Sequence, residues 1–575
     1  MPTTLLPKLG MILLAVASMG LGTEHSSNAA VVVVPVGGSP APLPDCKPPP
    51  PPNAIPDSPA PTIPPGGKPV PAPNMSGPWP SLAGPPPRCP AVPLVGSHAT
   101  YNVGPGKKYP DLTSFPWLNL KAGDVVNIYY SPTPYATKIA LRPNGTAAKP
   151  VIINGVADSK GRLPTITGKN AVTATDAIKQ KFFTTSGGSV IEPFGVIVMF
   201  RALNDEYGYK PTYVTIQNLR ITGASGANTF KDHAGKTQTY PAFAGGLYVV
   251  AAQYLTLQNN EIFGNGLGVF VNNQNDVPGS SFFTTVRGNY IHDNGVKDDY
   301  LEHNLYIQGV RTLYEGNYIG QLIAGAPGSS LKDRGSGPVV RYNTILSSAR
   351  AIDLVESENG SEITNNDPLY NYGWVYGNLI IDDFSTPGGG STDLIHWGGD
   401  KYGYDIYHNG PLYFYDNTVI VKATQAQAYH LAVFDLATDK QTIVLSNNII
   451  AHYGTSQMNA CTNSSTNGTK GTLKFADTNW AAPFYPNGQC KIDKTGATLL
   501  PGKPVLTSDY RLPTGSPAIG KGDAFPPAGV TFPTPASAAN LKVTEQYKVK
   551  PNAFTVEPSY VARKTVKDLG AFPYP

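Results

Sequence analysis

Charge is scarce in this chain. Asp, Glu, Lys and Arg make up 14% of 575 residues, where soluble domains usually carry ~25%. The formal net charge is +4, too small to mark a nucleic-acid-binding protein. Cysteine is scarcer still, with four residues that fall into two local pairs, Cys46 with Cys89 and Cys461 with Cys490. No CxxC and no tight Cys/His set occurs, so zinc-finger chemistry is excluded. An even number in local pairs instead predicts two disulfides, made in an oxidising compartment. Long apolar runs are missing too, and nothing approaches the ~20 residues of a membrane-spanning helix.

Against these absences stand 57 prolines, 60 glycines and 32 tyrosines. The N-terminus has a cation at Lys8, a short apolar run from Met11 to Leu21, and small or polar residues from Ser26 to Ala30. That order predicts a secretory signal peptide over 1–29. The next segment, 30–94, holds 24 of the prolines, including the run Pro48 to Pro52. Such a stretch cannot donate ladder hydrogen bonds and favours extended conformations, so it is expected to be a spacer. A soluble protein acting outside the cytoplasm, secreted or periplasmic and monomeric, is the expectation.

Beyond residue 210 one unit recurs: a short alternating strand, an asparagine, and an apolar residue soon after. It appears as VTIQNLRI, LTLQNNEI, TTVRGNYI, TLYEGNYI, PVVRYNTI, WVYGNLII, LYFYDNTV and IVLSNNII. The asparagines are Asn218, Asn260, Asn289, Asn317, Asn343, Asn378, Asn417 and Asn448, spaced by 26 to 42 residues. Periods in this range mean a solenoid or propeller. A propeller blade needs four antiparallel strands and tight hairpins, whereas each unit here holds two or three strands of about five residues. Uneven spacing suits a solenoid, in which extra residues loop out at one corner while coils stay stacked. The predicted fold is all-β: a right-handed parallel β-helix over 95–500, followed by a capping segment over 501–575 that covers the last strand edge.

The second strands of successive coils carry the chemistry. Stacking GLGVFV (266–271), HNLYIQ (303–308), SSLKDR (329–334), RAIDLV (350–355) and TDLIHW (392–397) aligns Val269, Leu305, Leu331, Ile352 and Leu394 inward. By period two, Asn304, Tyr306, Gln308, Lys332, Arg334 and Asp353 then face outward, with Arg350 close by. Cations suit an acidic polysaccharide. Once a uronate carboxylate is neutralised, its neighbouring proton becomes acidic, and Lys332 or Tyr306 could remove it while Arg334 or Arg350 holds the carboxylate. The alternative chemistry is hydrolysis by Asp353 with Glu356 or Glu358. A non-catalytic, adhesive carbohydrate-binding protein is the third reading. Asn304 and Gln308, with the aromatic loop bearing Trp397, Tyr402 and Tyr404, are candidate sugar-binding residues in any of them.

The stretches Leu331-Lys332-Asp333-Arg334, Val339 to Ile345, and Ala351 to Leu354 resemble β-helical polysaccharide lyases of the chondroitinase B and alginate lyase kind. The resemblance implies a lysine base at Lys332, an assisting arginine, and calcium as a possible cofactor. Asp333 stands where that pattern has serine, and the family's arginine position falls on Val355, so Arg350 or Arg334 would serve. The nearest calcium candidates are Asp298, Asp299 and Glu302. His303 with Tyr306 resembles the Tyr/His pair of other β-helix lyases, although His303 shares the inward parity of Leu305. The Gly-His-Gly and Arg-Ile-Lys motifs of polygalacturonases do not occur.

Overall fold

The computed structural model describes residues 98–572 apart from 180–190, 201–210, 274–279, 359–360, 387, 389, 401–405, 429, 463–469, 487, 526–531, 533–535, 537–540, 544, 552–555 and 564–566. The segments expected to be signal peptide and spacer, with Cys46, Cys89, Tyr402 and Tyr404, lie outside the described residues. From Thr100 onward the chain winds through three long sheets of 13, 13 and 11 strands, and in each of them strands from successive coils pair in parallel. Short strands of two to seven residues with one apolar face cannot bury that face alone, so each coil buries it against the next. The connections take the right-handed sense that strand twist imposes on parallel crossovers. The result is a right-handed parallel β-helix.

The recurrent asparagines form an interior ladder at the corner between the first and third sheets. Asn260 donates through Nδ2 to Asn289 Oδ1 at 3.1 Å, and the pattern repeats through Asn317, Asn343, Asn378, Asn417, Asn448 and Asn479. Each amide also bonds backbone carbonyls, as Asn343 does to Tyr314 and Arg341 at 3.0 Å. The residue before each of seven ladder asparagines has positive φ: Asn259, Gly288, Gly316, Tyr342, Gly377, Asp416 and Asn447. Asn218 belongs to that strained position (φ 58°) rather than to the ladder; Leu219 takes the ladder place and donates its backbone N–H to Asn260 Oδ1. The ladder thus begins one coil later than the repeat suggests and runs one coil further.

In the core, the second sheet contributes Leu247, Val269, Leu305, Leu331, Ile352, Ile395 and Phe434 as one register column. The expected partner in the fifth strand was Leu394, and the register is one residue off. The cause is a pair of adjacent inward residues in these strands. Ala351 with Ile352, Leu394 with Ile395, and Val433 with Phe434 all belong to the same core. Period two cannot choose between two neighbouring apolar residues.

The C-terminal segment was expected to cover the last strand edge, and the contacts described for it lie elsewhere. It runs back along the flank. Phe525 stacks on Tyr415, Phe532 meets Trp374 and Tyr413 edge-on, and Tyr415 donates its hydroxyl to Leu541 O at 2.6 Å. Ala571 and Phe572 pack on Leu379 and Ile420 of the third sheet. The first and third sheets are thereby covered over several coils. Cys461 and Cys490 form a disulfide in the last coils.

Candidate active site

The corrected register assembles an outward column on the second sheet that runs Tyr248, Phe270, Tyr306, Lys332, Asp353, His396, Asp435 and Thr462. Its first part is aromatic: Tyr248 lies 4.7 Å from Phe270, and Phe270 meets Tyr306 edge-on at 5.3 Å. The rest is charged. Tyr306, Lys332, Arg334, Arg350 and Asp353 come together as the sequence indicated. His396, Asp400 and Asp435 join them unforeseen. His396 was hidden by the one-residue register error, Asp435 lies on the next strand, His430–Leu436, beyond the five that the sequence aligned, and Asp400 sits within the aromatic motif WGGDKYGY.

Three sugar-binding expectations are corrected. Trp397 is fully buried; its ring stacks on His408 at 4.7 Å and its Nε1 donates to Gly410 O at 2.9 Å. Asn304 is fully buried as well, part of a second interior asparagine ladder, accepting from Asn294 and donating to Gly320 O at 2.7 Å. It falls where the strand enters the sheet from a corner, before strict alternation begins. Gln308 is also buried and offers no surface to a ligand.

Lys332, only 6% exposed, lies between two carboxylates, with Nζ 2.5 Å from Asp353 Oδ2 and 2.9 Å from Asp400 Oδ2. Arg334 takes the other oxygen of Asp400 at 2.6 Å and also faces Glu356 at 3.3 Å and Glu358 at 3.7 Å. One carboxylate therefore bridges the two cations. Asp353 is held from every side: His396 Nδ1 at 2.9 Å, Ser329 Oγ at 3.3 Å and Arg350 Nη1 at 3.6 Å. Burial alone would raise its carboxyl, but Lys332 and Arg350, with His396, hold it well below the usual carboxylate range. Asp400 is likewise held low against burial by Lys332 and Arg334.

Tyr306 donates its hydroxyl to Glu358 at 2.5 Å. Burial raises its phenol well above the ordinary value, opposed by Arg334 and reinforced by Glu358. His303 lies edge-on to Tyr306 at 5.3 Å and accepts the Ser329 N–H at Nδ1, 2.8 Å away. Burial first and the Lys332 charge second push it down to about 3, so the imidazole is neutral with its proton on Nε2. Glu356 is fully buried, and accepts the Asp400 N–H at 2.9 Å. Around Lys332 and Arg334 the exposed carboxylates are Asp400, with 24% of its side chain open, and Glu358, with 17%.

Among the described residues no group of three or more His, Cys, Asp or Glu side chains is placed to hold a metal ion. Of the calcium candidates, Glu302 is pushed up to about 8 by burial and then by Asp299, the environment of a neutral acid. Calcium takes roughly six to eight oxygen ligands, and this pair does not make such a set. No described helix is long and apolar enough to cross a membrane.

No protein-family model and no curated protein matches the chain. Among solved structures it is similar to the pectate lyase Pel9A, at 12% identity and a TM-score of 0.36, over 84% of this chain and 98% of that one. It is also similar to the PL6 family alginate lyase AlyGC, at 12% identity and a TM-score of 0.35, over 68% of this chain and 52% of that one. A PL6 family polysaccharide lyase from Pseudopedobacter saltans is 13% identical with a TM-score of 0.35, over 68% and 95% of the two chains. The strand pairing by itself makes this chain a parallel β-helix, and the solved structures it is similar to include polysaccharide lyases.

Proposed function

We propose that this chain is an exported enzyme that cleaves an acidic polysaccharide by β-elimination on the outer face of the second sheet. The observation that carries the reading is the bridge at Asp400. Lys332 and Arg334 already hold one carboxylate between them, at 2.9 and 2.6 Å, and a uronate carboxylate that displaces Asp400 would meet the same two donors. Two charge-assisted donors on one carboxylate drain electron density from it and acidify the proton on the adjacent carbon.

Tyr306 is the proton-transfer group in this reading. It sits directly over Lys332 in the column, and its hydroxyl is already donating to Glu358. As the phenol passes its proton to Glu358, its oxygen takes the proton from the carbon beside the uronate carboxylate. A carbon–carbon double bond forms and the glycosidic carbon–oxygen bond breaks. The Tyr306 hydroxyl then protonates the leaving oxygen, and Glu358 returns its proton to Tyr306. Lys332 is engaged with carboxylates throughout, so it serves as electrostatic partner rather than as base. Export is supported by the signal-like N-terminus and by the Cys461–Cys490 disulfide.

A second reading has its own support. Because Asp400 and Glu358 are the exposed carboxylates beside these cations, hydrolysis by that pair is its concrete form; Asp353 and Glu356 are too buried and too fully paired to act. The test is incubation with a panel of uronate polymers, following both ultraviolet absorbance of new unsaturated ends and total new reducing ends. Elimination raises both signals, and Tyr306→Phe lowers both by about a hundredfold or more. Reducing ends without absorbance would establish hydrolysis, and neither signal on any polymer would leave the adhesive reading.

A further inference from the structure

A cavity of about 540 Å³ opens further along the same outer face, lined by residues that include Asp393, Gln457, Asn459, Thr462, Tyr485 and Gln489. Its volume is that of a small-ligand site. The strand register fixes its distance from Lys332. Asp393 pairs with Ala432 and Ala432 with Asn459, while the column from Lys332 passes through Asp353, His396 and Asp435 to Thr462. At ~4.8 Å per coil, the cavity starts about 10 Å beyond Lys332.

Its lining differs from the cleavage site in kind. Among the described residues no lysine or arginine lines it, and Asp393 supplies a carboxylate. A uronate carboxylate placed here would lose water and face the Asp393 carboxylate, with the His430 imidazole as the one basic side chain of the described lining. Sugar hydroxyls, by contrast, would meet amides, a carboxylate and a threonine hydroxyl. Asn459 is 94% buried and lines the cavity. Tyr485 is 50% exposed and presents a ring on which the apolar face of a pyranose can lie. The Cys461–Cys490 disulfide holds the two walls together, since Cys461 lies between Asn459 and Thr462 and Cys490 follows Gln489.

We propose that this cavity is a subsite for an uncharged sugar residue. Together with the reading of the Lys332 site, on which this rests, it makes the substrate a mixed polymer, with a uronate at the cleaved bond and a neutral residue in a cavity that begins two coils away and reaches the fourth and beyond. The experiment is calorimetric titration of the full chain with neutral trisaccharides of xylose, galactose and mannose, and with trigalacturonate as the charged comparison. At least one neutral trisaccharide binds, and Tyr485→Ala and Gln489→Ala each weaken it about tenfold or more while the melting temperature and trigalacturonate affinity hold. The proposal is overturned if no neutral trisaccharide binds, if both variants bind it as the wild type does, or if Tyr485→Ala weakens trigalacturonate equally. Failure of the cleavage reading shows separately, as absence of unsaturated ends on every polymer while neutral binding through Tyr485 persists.

Discussion

If Asp400 occupies the seat of a substrate carboxylate, removing it should tighten the binding of a charged substrate. Its carboxylate makes two charge-assisted bonds, to Lys332 at 2.9 Å and to Arg334 at 2.6 Å. Bonds of this type contribute roughly 1.5–3 kcal/mol each when buried. Asp400 keeps 24% of its side chain in contact with solvent, and a displaced carboxylate recovers its water. The net cost of opening the bridge is therefore about 1–2 kcal/mol, which corresponds to about 5- to 30-fold in affinity. Asp400→Ala should lower the Kd for trigalacturonate by that factor and raise kcat/KM on a uronate polymer, with Asp400→Asn in between because one acceptor oxygen remains. The variant should also melt lower without ligand, because Lys332 and Arg334 each lose a partner. Calorimetric titration reads the first effect and thermal unfolding the last. An unchanged or weaker Kd would refute the seat, and a dead Asp400→Ala enzyme would assign Asp400 to hydrolysis.

Asn343→Ala removes three donated and two accepted hydrogen bonds from the interior ladder. It should destabilise the fold by about 3–5 kcal/mol, measured by denaturant unfolding; a loss below 1 kcal/mol would mean the ladder is dispensable. Cys461 and Cys490 close a loop with a sequence separation of 29, so replacing both by serine should cost the last coils about 3–4 kcal/mol. Hydrogen exchange over 457–493 should rise while the coils around Lys332 stay protected. Burial pushes Asp382 up to about 8 and Asp333 to about 7. Because the folded values exceed the unfolded one near 3.9, their contribution is complete below that pH and is lost as pH rises through the folded values. Melting temperature should therefore fall between about pH 5 and 8, and Asp382→Asn should flatten the slope; a flat wild-type profile would remove the argument.

Much of the architecture was legible because its cause is local and repeated. An asparagine that must satisfy backbone groups at a corner, once per coil, leaves a mark every 26 to 42 residues. The site was legible in part. Lys332, Arg334, Tyr306, Arg350 and Asp353 share parity or close spacing within strands whose register follows from single apolar anchors. His396 was missed because Leu394 and Ile395 both face inward, and a stretch with two adjacent inward residues offers two equally apolar alignments. Trp397 was misplaced for the same reason: the residue after His396 points back into the core.

The amino-acid sequence by itself determined the parallel β-helix, the cations of the second sheet and the cysteines at 461 and 490, since strand alternation and coil repeat are short-range patterns. Tertiary structure alone decided which carboxylates meet those cations. Asp400 lies 68 residues from Lys332, and the two meet because the strand of Lys332 stacks with the next two strands of the second sheet. Tertiary structure also decided where the C-terminal segment lies, because its aromatic residues could have covered any apolar flank. Only packing places Phe525 and Phe532 over Trp374, Tyr413 and Tyr415, which closes the first sheet's flank.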